Sequence, residues 1–479
     1  MSIKDISLLR DMFHTQKQHY DPSSPNTYKR RVDLLDALDE LIRENIEIIT
    51  STIQEDFGSR GDDLIFTADI FPILDHIKHV KNKLKRWMKP EIKSSGFFAL
   101  LGQKTFIHYE PLGVVGVMSP FNAPVSLAFN PAIDAIAAGN SVIIKISEST
   151  PKTATLIQNL VNQRFESKDI AVCCGSTDVS KVFSQLPWDS LLFTGGTNVG
   201  KKIMSAAGKN LTPVILELGG KCPCVVLPDA DITLVAKKIA QVRQFNAGQV
   251  CLAGDFVFVH ESCLEQFIVE AIQKDKEVFP TIVDNKDSVS IINQLNFDRI
   301  TSWIEEARQS GCRIIESFRE NETLPNKETR KVPLTLVINP DDNLKISQNE
   351  IFGPVLSIFT YKDVEEAISY INKKPKALAL YVFGEKKTEL NKIVFGTSSG
   401  GVTVNDMLMH AGSHTMGFGG VGESGIGRYK GGKEGFKSFS NPKSVFVQGM
   451  LKKYTGDFLP PYKKKSTRKT IRSMVGVKG

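Results

Sequence analysis

Short apolar runs alternate with helical stretches through most of this chain, and that alternation restricts the fold more tightly than any other feature. Residues 114–118 read as a buried strand, 119–122 as the loop after it, and a helix then runs to Gly139-Asn140. Residues 142–146 form the next strand. Ser149, Thr150 and Pro151 then mark a helix start, with a hydroxyl cap and a proline in the first turn. Segments 170–173, 190–193 and 214–216 continue the pattern. Strand–helix–strand order of this kind joins parallel neighbours, so it predicts a doubly wound α/β sheet. Beyond Glu217 the order repeats through 225–227, 256–260, 332–337, 356–361 and 379–383, which predicts a second α/β domain of about 190 residues. Ahead of both, Leu34, Leu35, Leu38, Leu41, Ile42, Ile49 and Ile53 keep helical spacing from Arg31 to Phe57, with Gly58 as the stop. A second helical stretch follows to about Trp87.

The 479 residues suffice for two or three domains, and a 41% hydrophobic, 24% charged composition is that of a soluble globular chain. Near the N-terminus Ile3, Ile6, Leu8 and Leu9 are interrupted by Lys4, Asp5 and Arg10, so no secretory leader is expected. No segment approaches the ~20 apolar residues that cross a bilayer. Seven scattered cysteines, an odd number, point to reduced thiols and a cytoplasmic protein rather than a disulfide framework. Cys173-Cys174 and Cys222-Pro223-Cys224 lie in apolar, strand-like segments without partners at zinc-ligand spacing, so they read as core, and no metal site is expected. Charge is segregated: from Leu451 onward nine Lys/Arg face one acid, Asp457, which puts +8 of the chain's net +7 on the tail and leaves −1 on residues 1–450. The commonest meaning of such a run is a solvated or disordered tail.

Two residues stand out for chemistry. Cys251 follows Phe-Asn-Ala-Gly-Gln-Val, and Glu217 sits in Glu-Leu-Gly-Gly-Lys. Free cysteines usually pack in cores, which suits Cys263 and Cys312. Asn246, Gly248 and Gln249 before Cys251 are not core-forming types, so they predict an exposed or cofactor-facing turn. There a thiolate could act as nucleophile, and a nearby carboxylate could activate water against the covalent intermediate. A third feature is Gly195-Gly196-Thr197-Asn198-Val199-Gly200, placed where a strand ends and a helix opens. That position suits a pyrophosphate on backbone N–H groups. It is not Gly-x-Gly-x-x-Gly, and Lys202 stands where a P-loop needs Ser or Thr for Mg²⁺, so a nucleotide hydrolase is disfavoured.

Seven blocks together resemble the aldehyde dehydrogenase superfamily across nearly the whole chain. They are 119–122 (Ser-Pro-Phe-Asn), 145–148 (Lys-Ile-Ser-Glu), 193–200, 217–221, the Cys251 block, 350–354 (Glu-Ile-Phe-Gly-Pro) and 418–425 (Phe-Gly-Gly-Val-Gly-Glu-Ser-Gly). Residues 56–60, 86–90 and 404–410 resemble its class 3 and coniferyl-aldehyde dehydrogenase branch. The resemblance implies an α/β fold with two doubly wound domains and a small bridging, oligomerisation β element. The corresponding boundaries are 1–87 and 109–216 for NAD(P) binding, 217–415 for catalysis, 88–108 and 436–448 for the bridge, and 449–479 for the basic tail. It also implies oxidation of an aldehyde, medium-chain or aromatic, to the carboxylic acid, in a homodimer.

In that scheme Cys251 is the nucleophile, Glu217 the base that hydrolyses the thioester, and Asn122 an oxyanion donor with the Cys251 N–H. Lys145 and Glu148 take the adenosine ribose, Gly195, Gly196 and Gly200 the pyrophosphate, and Glu350 and Phe352 the nicotinamide end. The cofactor is NAD, with NADP as the alternative, because a ribose-binding carboxylate repels a 2′-phosphate. Three positions depart from the family: Phe121 replaces a usual Trp, Gly196 a usual Ser, and Met416-Gly417 a usual Leu-Pro. Two competing readings are cofactor-independent ester hydrolysis at the same residues and a non-catalytic scaffold. The scaffold would use the polybasic tail on membranes or nucleic acid. The tail is expected to touch anionic surfaces weakly, with no specific nucleic-acid binding.

Overall fold

Two largely parallel sheets carry the alternation read from the sequence. The computed structural model describes residues 2–23, 25–96, 99, 102–449, 460, 462 and 464–477. The first sheet has six strands in the order Gly425–Ile426, Val214–Leu218, Ser190–Gly195, Val114–Met118, Ser141–Lys145, Ile170–Cys173. All are parallel except the short outermost strand, where Gly425 lies opposite Glu217. From Val114–Met118 the chain winds outward through two strands, then crosses back to Ser190–Gly195. The crevice at this reversal, beyond the carboxyl ends of the strands, is where open α/β sheets bind ligands. Both faces are covered, which is why the strands are continuous apolar runs. Val115 and Val117 pack on one side, against Ile42, Ile133 and Ile157. Val114 and Met118 pack on the other, against Leu9, Phe183 and Ile203. Leu9, Met12 and Phe13 come from an N-terminal helix, Ser2–His19, whose apolar stripe the sequence reading had seen only as interrupted.

The second sheet has seven strands in the order Arg313–Glu316, Thr335–Ile338, Val355–Tyr361, Gly254–His260, Cys222–Val226, Ala377–Phe383, Ser399–Val404, and its first pair alone is antiparallel. A third, antiparallel sheet joins Glu91–Lys93, Lys104–Pro111 and Ser440–Val447, so the expected bridging element is present. Cys173, Cys222 and Cys224 are fully buried in strands, and Cys174 is half-buried. No helix among the described residues is long and apolar enough to cross a membrane.

The helices depart from the sequence reading where side chains intervene. The stretch from 31 to 57 is two helices, Tyr28–Glu44 and Ile46–Phe57, broken at Asn45, whose amide side chain donates to the Leu41 carbonyl at 2.8 Å. Gly58 ends the second at φ +88°, a conformation that favours glycine. The next stretch contains a π-helical turn, Phe66–Ile70, before Phe71–Trp87. Asp69 in that turn is fully buried, pairs with Arg60 at 3.0 Å, and accepts from the Val125 and Ser126 N–H groups that open helix Ser126–Ala138. Helix Pro151–Arg164 starts at the expected proline, but Thr150 does not cap it. Asp56 does, accepting from Lys152 N at 3.1 Å and Thr153 N at 2.8 Å. The tail expected to be solvated or disordered contains an ordered, solvated element: Lys465–Met474 is a helix with Thr467 buried and its basic side chains exposed. The rest of that expectation, at 450–459, 461, 463 and 478–479, lies outside the described residues.

Candidate active site

The loop after Val114–Met118, the carboxyl end of Val214–Leu218, the opening of helix Thr197–Gly208 and Cys251 help to enclose one cavity of about 650 Å³. Cys251, Glu217 and Asn122 line one end of it. Lys145, Glu148, Gly195, Gly196, Glu350 and Phe352 line it as well. Gly200 does not: its α-carbon faces Leu218, where a Cβ would approach the leucine Cδ2 to 2.6 Å, so this glycine lets the helix pack on the strand.

Cys251 is held by a turn whose three residues Asn246, Ala247 and Gly248 have φ of +54°, +52° and +68°. A Cβ at Gly248 would run into the Gly353 carbonyl. The expectation that Asn246, Gly248 and Gln249 form an exposed or cofactor-facing turn fails, because all three are buried. Gln249 donates to the carbonyls of Asn246 and Ser290, both at 3.1 Å, and accepts from Ile292 N at 3.0 Å. Asn246 donates to the carbonyls of Asn122 at 3.0 Å and Gln249 at 3.2 Å. These polar residues are buried because they satisfy backbone groups that the tight turn leaves unpaired. Asn122 joins the same frame, its Nδ2 donating to the Gln249 carbonyl at 3.0 Å. Burial, then the carboxyls of Glu350 and Glu217, push the Cys251 thiol up to about 12, so it rests as the neutral thiol.

Glu217 is 3% exposed, and neither carboxylate oxygen has a hydrogen-bond partner among the described residues. Burial pushes its proton affinity well above the ordinary carboxyl range, opposed by the nearby Arg428 cation. A buried carboxyl without partners is costly to the fold, and its position in the cavity makes Glu217 a candidate functional group.

At the other end Lys145 Nζ donates to Glu148 at 2.7 Å, and Thr177 donates to the same carboxylate at 3.4 Å. Burial works against the Glu148 charge, but the Lys145 bond and charge outweigh it and hold the carboxyl below its usual range. No side chain caps helix Thr197–Gly208, and the space beside Gly196 is open. An uncapped N-terminus beside a paired Lys and Glu fits a dinucleotide, with its pyrophosphate on the helix and a ribose on the carboxylate. Glu350 lies against Gly219, and burial, then repulsion from Asp255, push it up to about 8. Asp255 itself pairs with Lys221 and accepts from Ile351 N at 2.8 Å, which fixes the segment carrying Glu350 and Phe352. Phe352 meets Phe121 edge to face with ring centroids 5.8 Å apart, so Phe121 preserves an aromatic wall.

Asn296 and Arg299, on helix Gln294–Gln309, also line the cavity, and the sequence reading missed them. Arg299 stacks on Trp303 at 4.6 Å, and this cation–aromatic pair at i, i+4 was the one local signal available. Arg428, whose surroundings are Gly-rich, was missed as well. Among the described residues no group of three His, Cys, Asp or Glu could hold a metal ion.

A doubly wound sheet with an uncapped helix N-terminus, joined to a thiol and a buried carboxyl in one cavity, fits a dinucleotide-dependent enzyme with a cysteine nucleophile. The sequence pattern of the Aldehyde dehydrogenase family matches residues 11–445. A probable coniferyl aldehyde dehydrogenase of Caulobacter vibrioides is 39% identical over 461 residues, 95% of this chain and 94% of that protein. Among solved structures, AldH of Staphylococcus aureus in a substrate-bound state superposes with a TM-score of 0.90 at 34% identity, covering 98% of this chain and 99% of that one. An indole-3-acetaldehyde dehydrogenase complexed with NAD+ superposes with a TM-score of 0.82 at 26% identity, over 93% of this chain and 89% of that one. The chain belongs to the aldehyde dehydrogenase family and is an NAD(P)-dependent enzyme of that class.

Proposed function

We propose that the enzyme oxidises a medium-chain or aromatic aldehyde to its carboxylic acid through covalent intermediates on Cys251. The Cys251 thiol releases its proton to water in the cavity, which carries it to bulk solvent, and the sulfur attacks the aldehyde carbon, forming a thiohemiacetal. The oxyanion takes the second hydrogen of the Asn122 amide, the first being spent on the Gln249 carbonyl, together with the Cys251 N–H. Lys145, Glu148 and the N–H groups at Gly196-Thr197 hold NAD(P)+, which when bound supplies the hydride acceptor. The resulting thioester is attacked by water whose proton goes to Glu217, releasing the carboxylate and free Cys251. The observation that carries this reading is the unpartnered, buried Glu217 carboxyl in the cavity with Cys251.

The substrate class rests on the Phe121–Phe352 wall and on similarity to the Caulobacter protein named for an aromatic aldehyde. The ionised Glu148 favours NAD over NADP, since a second negative charge beside it is repelled. The third sheet leaves Phe446 59% and Ile92 76% exposed, which supports a homodimer formed through it. The enzyme is cytoplasmic in this reading, and the exposed basic helix Lys465–Met474 gives only weak contact with anionic surfaces.

The test follows NAD(P)H formation across an aldehyde panel with wild type, Cys251→Ala and Glu217→Gln. Cys251→Ala should give no turnover. Glu217→Gln should release one burst of NADH per site and then stall as acyl-enzyme. Steady turnover by Glu217→Gln at the wild-type rate would remove Glu217 from the mechanism.

A further inference from the structure

The strap between Phe418 and Tyr429 closes on itself through two hydrogen bonds, Phe418 N to Tyr429 O at 3.1 Å and Tyr429 N to Phe418 O at 2.9 Å. Its glycines press on Glu217: a Cβ at Gly419 would stand 3.0 Å from Glu217 Oε1, and Gly425 pairs with Glu217 across the sheet edge. Arg428 holds this strap in place. Its Nη1 donates to the carbonyls of Gly400, Gly417 and Gly419, each at 3.2 Å, and Nη2 donates to Gly400 at 3.2 Å. Gly400 belongs to the edge strand Ser399–Val404 of the second sheet, so one guanidinium ties the strap to that sheet's edge.

We propose that Arg428 is a positioning residue for thioester hydrolysis: through its bonds to the Gly417 and Gly419 carbonyls it seats the 417–419 segment against Glu217, which sets how readily that base takes a proton from water. This rests on the reading of Glu217 as base. The groups whose charge reaches Glu217 are the Cys251 thiol on its turn, the Tyr429 phenol on the strap, and Arg428, which is exposed and so partly screened by solvent. Of these only Arg428 is a cation. It is also the one influence that opposes the effect of burial on Glu217. A lysine could replace the charge but not the planar fork that reaches three carbonyls.

The experiment compares full-length wild type, Arg428→Lys, Arg428→Gln and Glu217→Gln, using benzaldehyde and hexanal with NAD. Arg428→Gln should keep the NADH burst rate within about threefold while steady-state kcat falls roughly tenfold. The rising limb of its kcat–pH profile should move up by about one pH unit, because the carboxyl loses its stabilising cation. Arg428→Lys should return that limb to the wild-type position with kcat only partly restored. Coincident pH limbs for Arg428→Lys and Arg428→Gln would overturn the proposal, as would a burst rate that falls in step with kcat. Normal stalling of Glu217→Gln beside unaltered Arg428 variants would sink this inference alone; normal turnover of Glu217→Gln would sink the base assignment itself.

Discussion

Glu350 is an acid held where its charge is unfavourable, and this has a consequence for stability. Burial and then Asp255 raise it from 4.5 to about 8 in the folded protein. The native state therefore keeps a proton that the unfolded chain releases across that interval. The stability contributed by neutral Glu350 is complete below about pH 4.5 and is lost as pH rises through about 8. Glu350→Gln cannot lose it, so urea unfolding should show the variant gaining on wild type by up to a few kcal/mol as pH rises across this window, then running parallel. Identical pH dependence for the two proteins would contradict the assignment. The structure brings Cys251 and Glu217 into one cavity, and the sequence could nominate both because a thiol and a carboxyl in glycine-rich surroundings stand out as chemical types. Gln249, Asn246 and Arg428 were not, because what they do is bond to backbone carbonyls and N–H groups, and any position in a chain presents those. Their partners are fixed only by tertiary structure.

Among the elements, parallel strands buried on both faces announce themselves as apolar runs, and their limits came out within a few residues. The strand carrying Glu217 runs on to Leu218, which delivers the carboxyl to the cavity from a rigid sheet rather than from a loop. Helix starts were harder to read. The local sequence nominated Thr150 as the cap of Pro151–Arg164, but the bonds come from Asp56, which also accepts from the Thr153 hydroxyl at 2.7 Å. Asp56 lies 96 residues before Lys152, so no local pattern could expose it. The carboxylate serves two N–H groups and sits on the positive end of the helix dipole. Asp56→Ala should therefore cost about 1–2 kcal/mol in chemical denaturation, with Asp56→Asn recovering part of it. A loss below a few tenths would mean that water caps the helix equally well.

For the whole molecule, the charge map separates an almost neutral body from a basic end. Cavity, strap, both large sheets and the three-stranded sheet are all built from residues up to Val447. Among the described residues, those beyond 450 supply none of the side chains assigned to chemistry, and Lys465–Met474 exposes most of its surface. Deleting 451–479 removes +8 and changes the net charge from +7 to −1. The truncated enzyme should keep kcat and KM within about twofold, since long-range charge affects encounter more than chemistry with a small neutral aldehyde. The number of chains in its assembly should match that of the full-length protein, because Ser440–Val447 stays paired with Lys104–Pro111. Its retention on ion exchange should shift from a cation exchanger toward an anion exchanger near neutral pH. The buried Thr467 shows that the helix has one covered face. A fall in thermal stability with kcat intact would place that face on the body as a brace. A fall in kcat would instead make the basic end part of the working enzyme.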